Sequence, residues 1–213
     1  NHSSMKDAVV TLDGGSCTAE LVSPKGLLLT NHHCGFGEIQ AHSSVEHDYL
    51  TNGFWARSLS EELPNPNKTV TFLVRMEDVS DKINSELKES MTEEERELTI
   101  KKISEKIEKE AVGDTHFEAQ VRSFFSGNNF YLFVTETFND VRLVGAPPSA
   151  IGKFGGDTEN WMWPRQTGDF SIFRVYCGKD GKPAQYSTEN VPYTPKHFFP
   201  VSIKGIKEND FSM

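Results

Sequence analysis

Five side chains able to act as bases, nucleophiles or metal ligands fall within sixteen positions: His32, His33, Cys34, His42 and His47. An imidazole beside a thiol suits two chemistries. Oriented by a carboxylate, it is a general base. Grouped with other imidazoles and thiolates, it holds zinc. The spacing here matches no standard zinc pattern, although these five residues remain the candidate ligands of a metal-binding reading. A second cysteine, Cys17, lies upstream in Gly14-Gly15-Ser16-Cys17, and the segment between it and His33 reads as a hairpin.

The elements that must position these residues are mostly strands. Thr18–Val22 and Leu27–Thr30 flank Ser23-Pro24-Lys25-Gly26, whose Pro and Gly suit a type I turn. Ala8–Leu12, Thr69–Val74, Phe130–Thr135, Val141–Val144 and Phe170–Tyr176 are rich in β-branched and aromatic residues and read as strands. Asn139-Asp140 is a hairpin turn. Residues 78–112 differ, being polar and charged. Thr92-Glu93-Glu94-Glu95 fits a capping box, and Ile100, Ile103, Ile107 and Ala111 recur at helical spacing. One or two surface helices inserted in a β domain are expected there. Aromatics make up 11% of the 213 residues, which excludes wholesale disorder. With 22 Lys+Arg against 31 Asp+Glu, the net charge is −9, which argues against nucleic acid as a partner. No apolar run approaches the ~20 residues of a membrane span. An apolar signal-peptide core is absent at Asn1, but both ends read as cut within a longer chain, so this says nothing about export.

The stretch from Cys17 to Cys34 resembles the histidine motif of chymotrypsin-like serine peptidases, in which a His-Cys pair at a strand end has its Cys bonded to one a hairpin upstream. That resemblance makes His33 the catalytic base, since it directly precedes Cys34, and implies a Cys17–Cys34 disulfide. A serine triad also needs a carboxylate to hold the imidazole. Asp169 opens a strand with alternating apolar residues and is the preferred candidate. Asp157, in Gly155-Gly156-Asp157-Thr158, is the competitor, its glycines suiting a turn Asp bonded to its own backbone.

Longer strings sharpen the resemblance: Thr30-Asn31-His32-His33-Cys34-Gly35, Glu46-His47-Asp48-Tyr49-Leu50, Ala146-Pro147-Pro148-Ser149, Lys153-Phe154-Gly155-Gly156-Asp157-Thr158, Asn160-Trp161-Met162-Trp163-Pro164-Arg165 and Thr167-Gly168-Asp169-Phe170. In this order they resemble the bacterial serine dipeptidyl-peptidases of peptidase family 46, over nearly the whole chain. The resemblance implies a mostly β, chymotrypsin-like double barrel, with residues 1–213 forming its N-terminal part: the first barrel, with the helical insertion at 78–112, and room near the C-terminus for the start of the second barrel. It implies release of dipeptides from free N-termini, a homodimer, and a periplasmic or cell-surface address in a Gram-negative bacterium. It assigns Asn160 and Trp161 to the substrate's α-ammonium, which an amide carbonyl can accept from and an indole face can attract. Trp163 reads as a core or interface aromatic. Gln166 stands where the family motif has His, a change expected to alter packing and not chemistry. The strings Lys6–Val10 and Asp140–Ala146 look closer to the type that prefers Asp or Glu.

The family nucleophile sits in a Gly-Asn-Ser-Gly type loop, and neither that loop nor Gly-x-Ser-x-Gly occurs here. Ser16 adjoins the implied disulfide and is given no chemistry. The nucleophile is therefore expected beyond Met213, and the chain alone is expected to be inactive. No cofactor is implied. Cys177 is left as a small buried residue or one that pairs outside the chain. A non-catalytic interaction module with a peptidase-like fold is the other reading, distinguished by whether the sequence after Met213 carries the serine loop.

Overall fold

A computed structural model describes residues 4–156, 163 and 167–211. Its strands are β1 (Val9–Leu12), β2 (Cys17–Leu21), β3 (Leu27–Thr30), β4 (Phe54–Trp55), β5 (Leu63–Pro64), β6 (Val70–Asp78), β7 (Glu118–Phe124), β8 (Asn129–Phe138), β9 (Asp140–Ala146), β10 (Ser171–Cys177) and β11 (Val191–Pro192). Among the described residues they form one sheet in the order β4-β9-β10-β3-β2-β1-β6-β8-β7, with β5 on β9 and β11 on β10. All pairings are antiparallel. Consecutive strands β1, β2 and β3 form a meander. The turn before β3 needs Gly26 at φ +64°, and a Cβ there would stand 2.8 Å from the Val175 carbonyl oxygen.

Alternation sets the core. Val10, Leu12, Ala19, Leu21, Leu28, Val70, Phe72, Phe138, Val141, Leu143, Phe173 and Val175 pack into one cluster. Each such side chain contributes ~1.5–3 kcal/mol by leaving water. A second, smaller cluster joins Phe130, Leu132 and Val134 of β8 to Val79, Ile83 and Ile107. The last two come from helices α3 (Ser80–Asn84) and α4 (Glu93–Val112), which occupy the stretch where sequence periodicity predicts helix. The Thr92–Glu95 capping box forms as expected, with Glu95 N–H donating to Thr92 Oγ1 and Thr92 N–H donating to Glu95 Oε2. A register shift between Leu73 and Arg75 marks where β6 passes between the clusters.

Other expectations need correction. Ala8 belongs to a single 3-10 turn, Met5–Ala8, and the first strand begins at Val9. Strand β7 escapes the sequence reading because its burial is slight. The sequence places His33 in a polar turn at a strand end, whereas it lies in the first turn of an 11-residue helix, α1 (His32–His42). Helices α2 (Tyr49–Asn52) and α5 (Ser149–Gly152) are single turns.

Helix α1 has little intrinsic drive to form. Gly35 and Gly37 each cost up to ~1 kcal/mol relative to Ala, and only His32, Gly35 and Ile39 are buried. It is held by contact. A Cβ on Gly35 would meet Ser171 Oγ at 2.6 Å and Phe173 Cζ at 3.0 Å, so the helix backbone rests directly on β10. Gly37 has nothing within 4 Å of such a Cβ. The two glycines should therefore respond oppositely to alanine. Gly37→Ala should stabilise by up to ~1 kcal/mol. Gly35→Ala should destabilise, because overpacking costs ~1–3 kcal/mol and outweighs the same gain in helix propensity. Urea unfolding of both variants checks this, and stabilisation by Gly35→Ala would contradict the close packing.

Candidate active site

His33 and Asp169 meet because β3 and β10 are paired. Ser171 lies opposite Thr30. Two residues outward on each chain, Asp169 comes opposite His32, where the chain turns into α1. Asn31 is the helix N-cap residue but makes no side-chain cap. The Asp169 carboxylate caps from across the sheet instead. Its Oδ1 accepts from the N–H of His32 at 2.6 Å and of His33 at 3.4 Å. Its Oδ2 accepts from Asn31 Nδ2 at 3.1 Å and faces His33 Nδ1 at 3.2 Å. Ser171 Oγ closes the joint by donating to the Asn31 carbonyl at 2.8 Å.

The tautomer of His33 follows. An ionised carboxylate only accepts, so Nδ1 carries the proton and Nε2 keeps its lone pair. The His33 side chain is 67% exposed and that of Asp169 is 22% exposed. An oriented imidazole with an open Nε2 is the geometry of a general base awaiting a hydroxyl.

Beneath it, the Cys17–Cys34 disulfide forms, with sulfurs 2.03 Å apart and Cα atoms 6.2 Å apart. Cys177 is a buried free thiol whose Sγ–H points at the Val191 carbonyl, 3.6 Å away, and burial pushes its pKa up. Lys68, which sequence reasoning passed over, is fully buried. Its ammonium donates to Asp13 Oδ2 at 2.9 Å and to the Cys34 carbonyl at 3.2 Å, pairs with Glu38 Oε1 at 3.2 Å, and stands 4.9 Å from the centre of the Phe173 ring. It thus ties α1 to the turn after β1. No local pattern betrays it, since its three acceptors lie in two segments, α1 and the turn after β1, both more than 25 residues away in sequence.

Of the five residues gathered by the metal-binding reading, only His33 and Cys34 fall in a common ligand cluster among the described residues, together with Cys17. His42 Nε2 is instead hydrogen-bonded to Asn65 Oδ1 at 2.9 Å. His32 is buried. Its ring hydrogen-bonds the Pro147 carbonyl, and its Nε2 has no partner among the described residues. Asn160, Trp161 and the competing Asp157 lie outside the described residues. Trp163 is 88% exposed, so it is not a core aromatic of this chain.

Burial depresses the pKa of His32, with the Asp169 charge and the Pro147 carbonyl pulling the other way. The unfolded imidazole protonates near 6.5. Between that value and the lower folded one the unfolded chain binds more protons, so His32 destabilises the fold as pH falls through this window. Going from about pH 7.5 to about pH 5 should therefore cost the parent chain more unfolding free energy than a His32→Gln variant. Equal losses in urea titrations at the two pH values would refute a neutral, buried His32.

The chain matches the Peptidase S46 family over residues 1–213. It is 57% identical over 211 residues to an Asp/Glu-specific dipeptidyl-peptidase of Capnocytophaga gingivalis, covering 99% of this chain and 30% of that protein. It is 51% identical over 213 residues to the dipeptidyl-peptidase 7 of the same organism, covering 100% of this chain and 30% of that one. A crystal structure of Porphyromonas endodontalis DPP11 in complex with the dipeptide Arg-Asp superposes with a TM-score of 0.85 at 50% identity, covering 97% of this chain and 30% of that one. The chain thus spans about 30% of the length of the curated relatives it matches. The chain belongs to the peptidase S46 family.

Proposed function

We propose that these 213 residues supply the base and the orienting carboxylate of a serine-type dipeptidyl-peptidase that releases dipeptides from the free N-termini of peptides. The observation that carries this reading is the His33 Nδ1–Asp169 Oδ2 contact, with Nε2 left open. In the reaction, a serine hydroxyl passes its proton to His33 Nε2 as its oxygen attacks the carbonyl of the second substrate residue. Asp169 stabilises the imidazolium that forms, His33 then protonates the leaving amine, and a water activated by His33 hydrolyses the acyl-serine to release the dipeptide. The serine and its oxyanion donors come from a part of the enzyme outside this sequence, in keeping with the share of its relatives that the chain spans. On its own the chain releases no dipeptide.

The same reading gives the sheet its architecture: a chymotrypsin-like barrel built on the β1-β2-β3 meander, with α3 and α4 as a helical insertion resting on their own small core. Asn160 and Trp161 hold the substrate's α-ammonium. Preference for Asp or Glu at the second position is supported by the names of relatives at 57% identity, while a dipeptidyl-peptidase 7 at 51% stands close behind. The whole enzyme is a homodimer at the periplasmic side or the cell surface, where the Cys17–Cys34 bridge persists.

In the full-length enzyme, Asp169→Asn should lower kcat by about 10⁴-fold, the size of effect seen when a triad carboxylate is neutralised, with KM little changed. Turnover of dipeptide substrates ending in Asp or Glu should exceed that of substrates ending in Leu or Phe. An Asp169→Asn enzyme within tenfold of the parent kcat, roughly a 1.4 kcal/mol effect, would sink the triad assignment. Faster turnover of the Leu or Phe substrates would sink the acidic preference alone.

A further inference from the structure

The sulfurs of Cys17 and Cys34 and a ring nitrogen of His33 lie within 4.8 Å of one another. Ligand atoms of one zinc ion stand no more than about 4.6 Å apart, twice a Zn–S bond of ~2.3 Å. A four-coordinate tetrahedral ion would place them about 3.7 Å from one another, a shift of about 1 Å or less for the imidazole. In the disulfide neither sulfur is a thiolate, and only the imidazole has a donor to give. Reduction changes that. A phosphine supplies two electrons and takes up the oxygen of one water, whose two protons go to the sulfurs; the S–S bond breaks, two thiols replace it and the phosphine oxide leaves. Binding a divalent cation then releases their two protons to solvent.

The surroundings favour the thiolate form at Cys34. It is the third residue of α1, where the helix dipole stabilises negative charge. The Lys68 ammonium is held at the Cys34 carbonyl, 3.2 Å away. The cation would also meet an exposed imidazole already held in place through Asp169, the outer-shell arrangement common to metal-bound histidines.

We propose that reduction of the Cys17–Cys34 bridge creates a site for one soft divalent cation, ligated by Cys17, Cys34 and His33, and that the bound ion withdraws His33 from its work as a base. Three protein ligands leave a fourth zinc position open to water. The second half rests on the function proposed above; the first does not.

Zinc is the probe. The chain is reduced with a phosphine, freed of it, checked for retained fold by far-ultraviolet circular dichroism, and titrated with Zn²⁺ against a chromophoric chelator. Reduced protein should take up one equivalent and oxidised protein none. Co²⁺ should give the thiolate charge-transfer band only after reduction. His33→Ala, at an exposed side chain, should weaken binding by at least about tenfold, the cost that even an outer partner of a metal ligand carries. A folded reduced chain that takes up no Zn²⁺, a reduced chain that unfolds, or undiminished affinity in His33→Ala would each overturn the site. In the full-length enzyme, reduction with Zn²⁺ should abolish dipeptide release, reduction alone should leave it, and a chelator should restore it. His33-dependent Zn²⁺ binding with undiminished turnover would leave the site standing and overturn the role of His33 as base.

Discussion

One carboxylate organises this structure. Asp169 reaches from the edge of β10 to the first N–H groups of α1, and the same group orients the His33 ring. A helix start leaves four N–H groups without intrahelical partners, and it favours negative charge. The usual remedy is a short polar side chain at the N-cap. Here Asn31 sits at that position but turns its amide toward Asp169, donating where a cap would accept. Helix and imidazole thereby share one anion, and the His33 ring is aligned by whatever fixes the helix. Folding and orientation of the ring are the same event at this joint.

That coupling only works if α1 cannot drift, and its own sequence does little to prevent drift. Gly35 lets the helix rest on Ser171 and Phe173. Lys68 grips it through the Cys34 carbonyl and Glu38. Taking a lysine fully out of water is expensive, and a buried ion pair is weak evidence for stability. Lys68, however, has two carboxylates, a carbonyl and an aromatic face around its ammonium. A charge so surrounded specifies position even where it adds little net stability. The disulfide adds a covalent tie between the third residue of α1 and β2.

The sequence was legible where chemistry and periodicity are local. The β2–β3 hairpin, the long strands and the capped helix at Thr92 follow from alternation, turn residues and a four-residue box. His33, Asp169 and the two cysteines stand out because they fall in strings whose residue types have few other uses. Helix α1 was not legible, because a segment with two glycines and three histidines carries no helical signal of its own; its start is set by Asp169, 137 residues away from His32. Lys68 was hidden for the same reason, and so was β7, an edge strand whose side chains alternate too weakly between water and core to show a period.

Strand β10 is the element on which these constraints converge, and its two faces explain how it holds still. Ser171, Phe173, Val175 and Cys177 point into the main core or against α1. The alternate residues enter a second, polar network. Arg174 Nε donates to both oxygens of Glu62, at 2.9 and 3.2 Å, and the Tyr176 hydroxyl donates to Glu62 Oε2 at 2.7 Å. Burial and the Glu62 charge push the Tyr176 pKa well above its ordinary value, so it stays a donor throughout the working pH range. Arg142 stacks 3.7 Å over the Tyr176 ring while bonding both oxygens of Asp140. Each charge in this network has its partner, which is the condition for a buried polar network to rigidify instead of destabilise. β10 is thus fixed on both faces and, through β3 and β9, on both edges. Asp169 lies two residues before its first strand residue, close enough to inherit that rigidity and far enough out to reach the helix. A carboxylate deeper in the strand would be committed to one face of the sheet and could not serve α1 and His33 together.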